Sequence, residues 1–160
     1  MVLLGAMNAA VLDHLQQNRD VIRIRWDLLL RLEPVVSPLA NPDTMAHLIP
    51  DSIGLLMEEL RARMQPNHRR PSPKRLACNC GHNPYRAYFK AGEQALAEAV
   101  VIAHVETRVD SDRQADITEV LTAIRALAAT EINTFCSICT NYRVAEKCRY
   151  RAPGEATAVA

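Results

Sequence analysis

Two close pairs of cysteines are the residues of this sequence best suited to chemistry. Cys78 and Cys80 stand one residue apart in "CNCGHNPYRAYF", and Cys136 and Cys139 form the "CSIC" stretch. Cys78 and Cys80 are too close in sequence for a comfortable disulfide with each other. The sulfurs within each pair are close enough to coordinate the same ion. The pattern therefore predicts a single four-sulfur site built from distant parts of the chain.

Zinc is the ion that such a site suits best, because a closed shell of four thiolates is its ordinary structural coordination. His82 could replace one cysteine or orient a ligand from just outside the shell, and Cys148 could exchange into it. Three alternatives stay open: an iron–sulfur cluster, a reversible disulfide switch, and cysteines that are simply small apolar residues sharing no site.

The charge pattern around the cysteines favours an anionic centre. Eight Lys and Arg residues and no Asp or Glu lie from position 61 to position 90, and four basic residues against Glu146 alone lie from 143 to 151. A zinc tetrathiolate carries about two negative charges, which such cations would balance.

The elements that must position these sulfurs are helices. Aromatic residues make up only 4% of a chain that is 49% apolar, and Leu, Ala, Glu and Arg abound, which favours helix over sheet. No segment alternates as a strand would. We therefore predict an all-α fold, a bundle of four to six helices that is globin-like or four-helix-bundle-like, with the four-cysteine metal site at one end.

The first half of the chain shows helical spacing of apolar residues from about 5 to 33, divided at Asn18. Asn41 and Pro42 predict the start of a further helix. Pro50 should interrupt that helix, which then resumes to about Met64.

The second half predicts two long helices. Asn83 and Pro84 open one that should reach about residue 108, and Ser111 or Asp112 should cap another that reaches about Tyr142. Long helices joined by a short turn run antiparallel, so the start of the first should lie beside the end of the second. This topology would bring all four cysteines together.

A helical wheel sets Cys139 within the apolar stripe of the last helix and Cys136 on its flank. Both thiols should therefore point toward the bundle. The domain organisation that follows is one helical domain over 1–150, with a proline-rich basic linker and cysteine loop at 65–82 and a flexible tail at 151–160.

Composition argues against several function classes. A net charge of +1 supplies no general attraction to nucleic acid, and the basic stretch "NHRRPSPKR" reads as a solvated linker. No apolar run approaches the ~20 residues of a membrane span, and the cysteine usage is typical of the cytoplasm. The five histidines are scattered and no nucleophile–base motif is present, which argues against an enzyme, although three cysteines plus water could form a catalytic zinc site.

The segment from about residue 11 to 62 resembles a known family. Its "LDHLQQNRDVIRIRW", "SPLANPD" and "HLIPDSIGLLMEEL" are similar to the helical, globin-like amino-terminal sensor domains of the stressosome co-antagonist family and of related signalling kinases. The resemblance implies a domain that binds no haem and relays a stimulus through helix packing. The four cysteines are not part of that family's pattern.

These observations together predict a zinc-binding helical sensor or interaction domain that responds to redox state or metal supply. Another protein or signalling module is the expected partner, and a second copy of the chain is a further candidate. The alternatives are an iron–sulfur regulatory or electron-transfer protein and an enzyme with a three-cysteine zinc.

Overall fold

The computed structural model describes residues 7–69, 76 and 82–139 of the 160-residue chain. Five helices of nine residues or more form the bundle: α1 (Ala9–Gln17), α2 (Arg19–Leu30), α4 (Ile49–Arg63), α5 (Pro84–Thr107) and α6 (Arg113–Ile138). A single turn, α3 (Pro42–Met45), and two short 3₁₀ segments (Pro38–Ala40 and Ala46–Leu48) join α2 to α4. No strand occurs in these ranges, so the predicted all-helical fold is confirmed.

Side-chain caps start α3, α5 and α6 where the sequence predicted them. Asn41 and Asn83 each accept a hydrogen bond from the backbone N–H two residues later, and a proline follows each cap. Asp112, rather than Ser111, caps α6 by accepting hydrogen bonds from the N–H groups of residues 114 and 115. These bonds satisfy amide groups that the first helical turn leaves unpaired.

Three predicted boundaries need correction. Pro50 does not interrupt a helix but lies in the first turn of α4, where a missing N–H removes no helical bond. Asn18 separates α1 from α2 as expected, yet its side chain donates to the carbonyl of His14 and so closes α1 instead of capping α2. Within the described residues α6 ends at Ile138, with Cys139 as its cap, short of the predicted Tyr142.

Helix α5 is the central element, packed on α6 along one side and on α2 and α1 along another. The indole of Trp26 on α2 is fully buried and donates a 2.9 Å hydrogen bond to the carbonyl of Tyr88 on α5. Tyr88 and Phe89 are buried against it, with ring centroids 5.0 and 6.3 Å from that of Trp26. Trp26 therefore anchors α2 to the central helix.

None of the helices within the described ranges has the length and apolar character needed to cross a membrane.

Candidate metal centre

The start of α5 meets the end of α6, as the antiparallel arrangement requires. The side chain of Asn83 is buried and donates a 3.1 Å hydrogen bond to the carbonyl of Ile132. Next to it, the rings of Tyr85 and Phe135 meet edge to face with centroids 6.2 Å apart. Asn83 therefore closes α5 onto the last turns of α6 while it also caps its own helix.

Both cysteines of the "CSIC" stretch lie at this end of α6. Cys136 is buried, and Cys139 is only partly exposed. Cys139 has extended backbone angles, φ −68° and ψ 122°, and its N–H bonds the carbonyl of Cys136 at 3.2 Å. The helical wheel was wrong in setting Cys139 deeper than Cys136, because the helix has already ended at Ile138 and helical angles no longer apply.

The other predicted ligands divide between described and undescribed parts of the chain. His82 is exposed, directly before the buried Asn83. Cys78, Cys80 and Cys148 lie outside the described residues. Among the residues that the structure describes, no group of three or more His, Cys, Asp or Glu side chains could hold a metal ion.

Several of the flanking cations have other partners, which corrects the charge argument. Arg63 is almost fully buried and bonds Glu59 at 2.8 Å and Glu119 at 3.3 Å. Lys90 pairs with Glu33 at 2.8 Å. These two positive charges are balanced by carboxylates, so the run of basic residues does not by itself indicate an anionic centre.

A buried carboxylate at the opposite end of the bundle was not anticipated from sequence. Asp116 on α6 accepts hydrogen bonds from the N–H of Asn8 (2.9 Å) and the hydroxyl of Ser111 (3.1 Å), and it contacts Nε2 of His104 at 2.8 Å. Asp116 and His104 are 5% and 8% exposed. One carboxylate thus joins the start of α1, the end of α5 and the start of α6.

This cluster holds helix ends together and shows no catalytic arrangement. The hydroxyl of Ser111 donates to the carboxylate and not to the imidazole, so the cluster lacks the serine–histidine contact of a nucleophilic triad. The sequence signal was an acidic residue among the apolar residues of α6, one turn after the Asp112 cap. Its partners are far along the chain, Asn8 being 108 residues away, so periodicity alone could not pair them.

Between α4 and α6 lies an open groove of about 260 Å³, smaller than the ~300–1,000 Å³ of typical small-molecule sites. Its lining is mostly apolar, with one carboxylate, and consists of Leu55, Leu56, Glu59, Ala123, Ala126, Leu127 and Thr130. The groove has no converging polar groups that would orient a substrate.

No family model matches the sequence, and no curated protein or solved structure matches the chain. The resemblance to the stressosome sensor domains therefore stays a prediction.

Proposed function

We propose that this chain is a zinc-binding helical interaction domain. In this proposal Cys78 and Cys80 join Cys136 and Cys139 around one ion where α5 begins and α6 ends. The hydrogen bond from Asn83 to Ile132 carries the proposal, because it ties the chain just after the first cysteine pair to the helix just before the second.

Chain length limits how far apart the two pairs can lie. Cys80 precedes Asn83 by three residues, which span at most about 11 Å. Cys136 follows Ile132 by four helical residues, a rise of about 6 Å. Reaching a shared ion therefore demands no rearrangement of the helices, only a turn of the chain before α5.

The electrostatics of this end of α6 favour a cation. The last carbonyl groups of a helix have no helical partners and carry the negative end of the helix dipole. Cys139 itself caps this end. The ion itself is attracted to this end, whereas the charge of about −2 on a complete zinc tetrathiolate is better balanced by the free N–H groups at the start of α5.

The functional role follows from what such an ion would join. A metal held by the start of α5 and the end of α6 would lock the two longest helices in register. Loss of the ion or oxidation of its thiolates would remove that link and alter the packing of the bundle. We propose that this change is the signal that a partner protein reads, in line with the sensor role that the family resemblance implies.

Elemental analysis of protein purified without oxygen tests the proposal. We expect one zinc per chain and a colourless preparation, and we expect Cys80→Ser and Cys139→Ser each to lose the metal. Cys148→Ser is the matched control and should keep it, since four other cysteines complete the shell. Iron with acid-labile sulfide would instead support the cluster, and metal-free protein with an intramolecular disulfide would support the redox switch.

Chelation supplies a second measurement. At a metal concentration a thousand times its dissociation constant, binding stabilises the fold by about 4 kcal/mol. For a chain of this size each kcal/mol corresponds to roughly 2–4 °C, so removing the ion should lower the melting temperature by about 8–16 °C. An unchanged melting temperature after complete chelation would contradict a link between α5 and α6.

A further inference from the structure

Helix α2 has a second apolar face that nothing in the described structure covers. Its inner face is buried and consists of Ile22, Trp26, Leu29 and Leu30. Its outer face carries three exposed apolar side chains, and Leu32 extends the row from the turn just after the helix; in chain order Val21, Ile24, Leu28 and Leu32 are 58%, 51%, 52% and 80% exposed. We call these four residues the α2 stripe.

The stripe is continuous along the helix. Val21, Ile24 and Leu28 follow one another at steps of three and four residues, within about 60° of arc on a helix of 100° per residue. Leu32 lies in the turn just after the helix, where its N–H bonds the carbonyl of Leu29. The exposed surface of the four side chains amounts to roughly 450 Å², more than scattered surface residues provide on a monomer. Such a face is typical of a protein–protein contact.

We propose that the α2 stripe binds the α2 stripe of a second copy of this chain, with the two helices antiparallel about a two-fold axis near residue 26. This inference is independent of the metal site, because the stripe includes none of the proposed ligands.

The spacing of the stripe is nearly the same read in either direction. In the antiparallel pair Val21 lies opposite the partner's Leu32, and Ile24 lies opposite the partner's Leu28. Symmetry repeats both contacts, so every apolar side chain of the stripe faces another. The opposed helix dipoles add a small favourable term.

The charged side chains beside the stripe are mixed in sign and allow this pairing. Asp20 is 93% exposed and lies on the same flank of α2 as Arg31. In the antiparallel pair Asp20 comes opposite the partner's Arg31, once on each side of the axis. Within one copy Arg31 bonds Asp27 and Asp43 through its Nε and one Nη, and Asp20 lies 3.7 Å from Arg23. The guanidinium of Arg31 retains further N–H donors, so the contact with the partner's Asp20 contributes to orientation more than to affinity.

The other flank carries no net charge to oppose this pairing. Arg25, which would approach the partner's Arg25, donates hydrogen bonds of 2.6 and 3.0 Å to the two carboxylate oxygens of Glu98 on α5. This bidentate pair, which raises the pKa of Arg25 and lowers that of Glu98, neutralises the guanidinium before the copies meet.

The available area is sufficient for a reversible dimer. Complete burial of both stripes would remove at most roughly 900 Å² of apolar surface, so the contact reaches the ~1,000 Å² expected of a specific interface only together with the flanking charged side chains. Arg25 on α2 contacts Glu98 on α5, and the two helices run antiparallel. One turn further along each helix, Val21 therefore lies level with Ile102, which is exposed, so the apolar surface continues beyond Val21. Interfaces of this size are typically transient, so we expect a dissociation constant in the micromolar range.

Sedimentation equilibrium of the full chain between about 2 and 200 μM tests this proposal. The wild-type chain, of 17.8 kDa, should approach twice that mass as concentration rises. Leu28→Asp removes an apolar contact that symmetry duplicates, and it should weaken association about 100-fold or more. Ile24→Lys should act similarly, and because both side chains are exposed, both variants should keep the wild-type circular dichroism.

Leu55→Asp is the matched control, since Leu55 lies on α4 and, like Leu28, is 52% exposed. It should leave the dissociation constant within about twofold of the wild type. A monomeric wild type at 200 μM, or equal effects of Leu28→Asp and Leu55→Asp, would overturn the proposal.

Charge reversal tests the orientation of the two helices. Asp20→Arg should weaken association several-fold by setting two arginines opposite each other, and adding Arg31→Glu should restore most of the loss. Arg31→Glu alone must be measured as well, because it also removes the bonds of Arg31 to Asp27 and Asp43. If the double variant associates as weakly as the two single losses together predict, with no coupling between positions 20 and 31, the antiparallel pairing is excluded.

Discussion

Two helical glycines allow a sharp test of the packing between α2 and α5, because alanine should act on them with opposite signs. A Cβ added at Gly92 would lie 2.5 and 2.7 Å from Cε2 and Cη2 of Trp26 and closer still to Cζ2. A Cβ added at Gly54, within α4, would meet nothing within 4 Å. Both glycines lie inside helices, so both gain equally from the higher helix propensity of alanine.

The magnitudes follow from these surroundings. Replacing glycine by alanine within a helix contributes about 1 kcal/mol of stability. Overpacking a closed core costs typically 1–3 kcal/mol. The upper end applies to Gly92→Ala, because the indole of Trp26 is fully buried and its N–H is held by the carbonyl of Tyr88. We therefore expect Gly92→Ala to lose about 2 kcal/mol net and Gly54→Ala to gain about 1 kcal/mol.

Urea unfolding followed by circular dichroism measures both changes, and the fluorescence of Trp26, the only tryptophan, reports on the same contact. In melting temperature we expect a fall of roughly 4–8 °C for Gly92→Ala and a rise of roughly 2–4 °C for Gly54→Ala. Combining Gly92→Ala with Trp26→Phe should cost less than the sum of the two single changes, because the smaller ring relieves the clash. If Gly92→Ala stabilised the protein as much as Gly54→Ala, the described packing of Trp26 on α5 would be refuted.

Two further outcomes are expected from buried polar groups. Asp116→Ala should lower the free energy of unfolding in urea by about 2–4 kcal/mol, because it leaves the N–H of Asn8 and the imidazole of His104 without their acceptor. The control Asp112→Ala removes only a helix cap and should lower it by about 1 kcal/mol. Equal losses would contradict the linking role of Asp116. Burial raises the pKa of Tyr88, and the hydrogen bond of Tyr88 to a serine hydroxyl lowers that pKa by a smaller amount. The stability that the buried neutral phenol contributes is therefore complete below the pKa of tyrosine in the unfolded chain, near 10, and is lost as pH rises above that value. Wild-type protein should therefore lose more stability than Tyr88→Phe between about pH 9 and 11, and parallel curves would contradict this.

Helix starts were the most predictable feature of this protein. Asn41 and Asn83, each followed by proline, marked the first residues of α3 and α5 correctly, because a cap acts on amide groups two residues away and proline acts on its own backbone. The role of Pro50 was misjudged for a related reason. A proline can follow the end of one helix or stand in the first turn of the next. The packing of α4 decides between these cases, and it places Pro50 in the first turn.

The candidate metal centre was predictable only in its topology. The short connection between α5 and α6 required them to be antiparallel, and the bond from Asn83 to Ile132 agrees with that expectation. The relative depth of Cys136 and Cys139 was not predictable, because it depends on where α6 ends. The gathering of the four sulfurs remains a prediction.

The sequence by itself determined the helical class and the caps that begin α3 and α5, because these depend on composition and on local hydrogen bonding. Only the tertiary structure decided that Asp116 joins three helix ends and that the stripe on α2 is left exposed. Both outcomes depend on which residues distant in sequence come into contact. A helical wheel shows that a face is apolar, but whether the fold covers that face is set by the packing of the other helices.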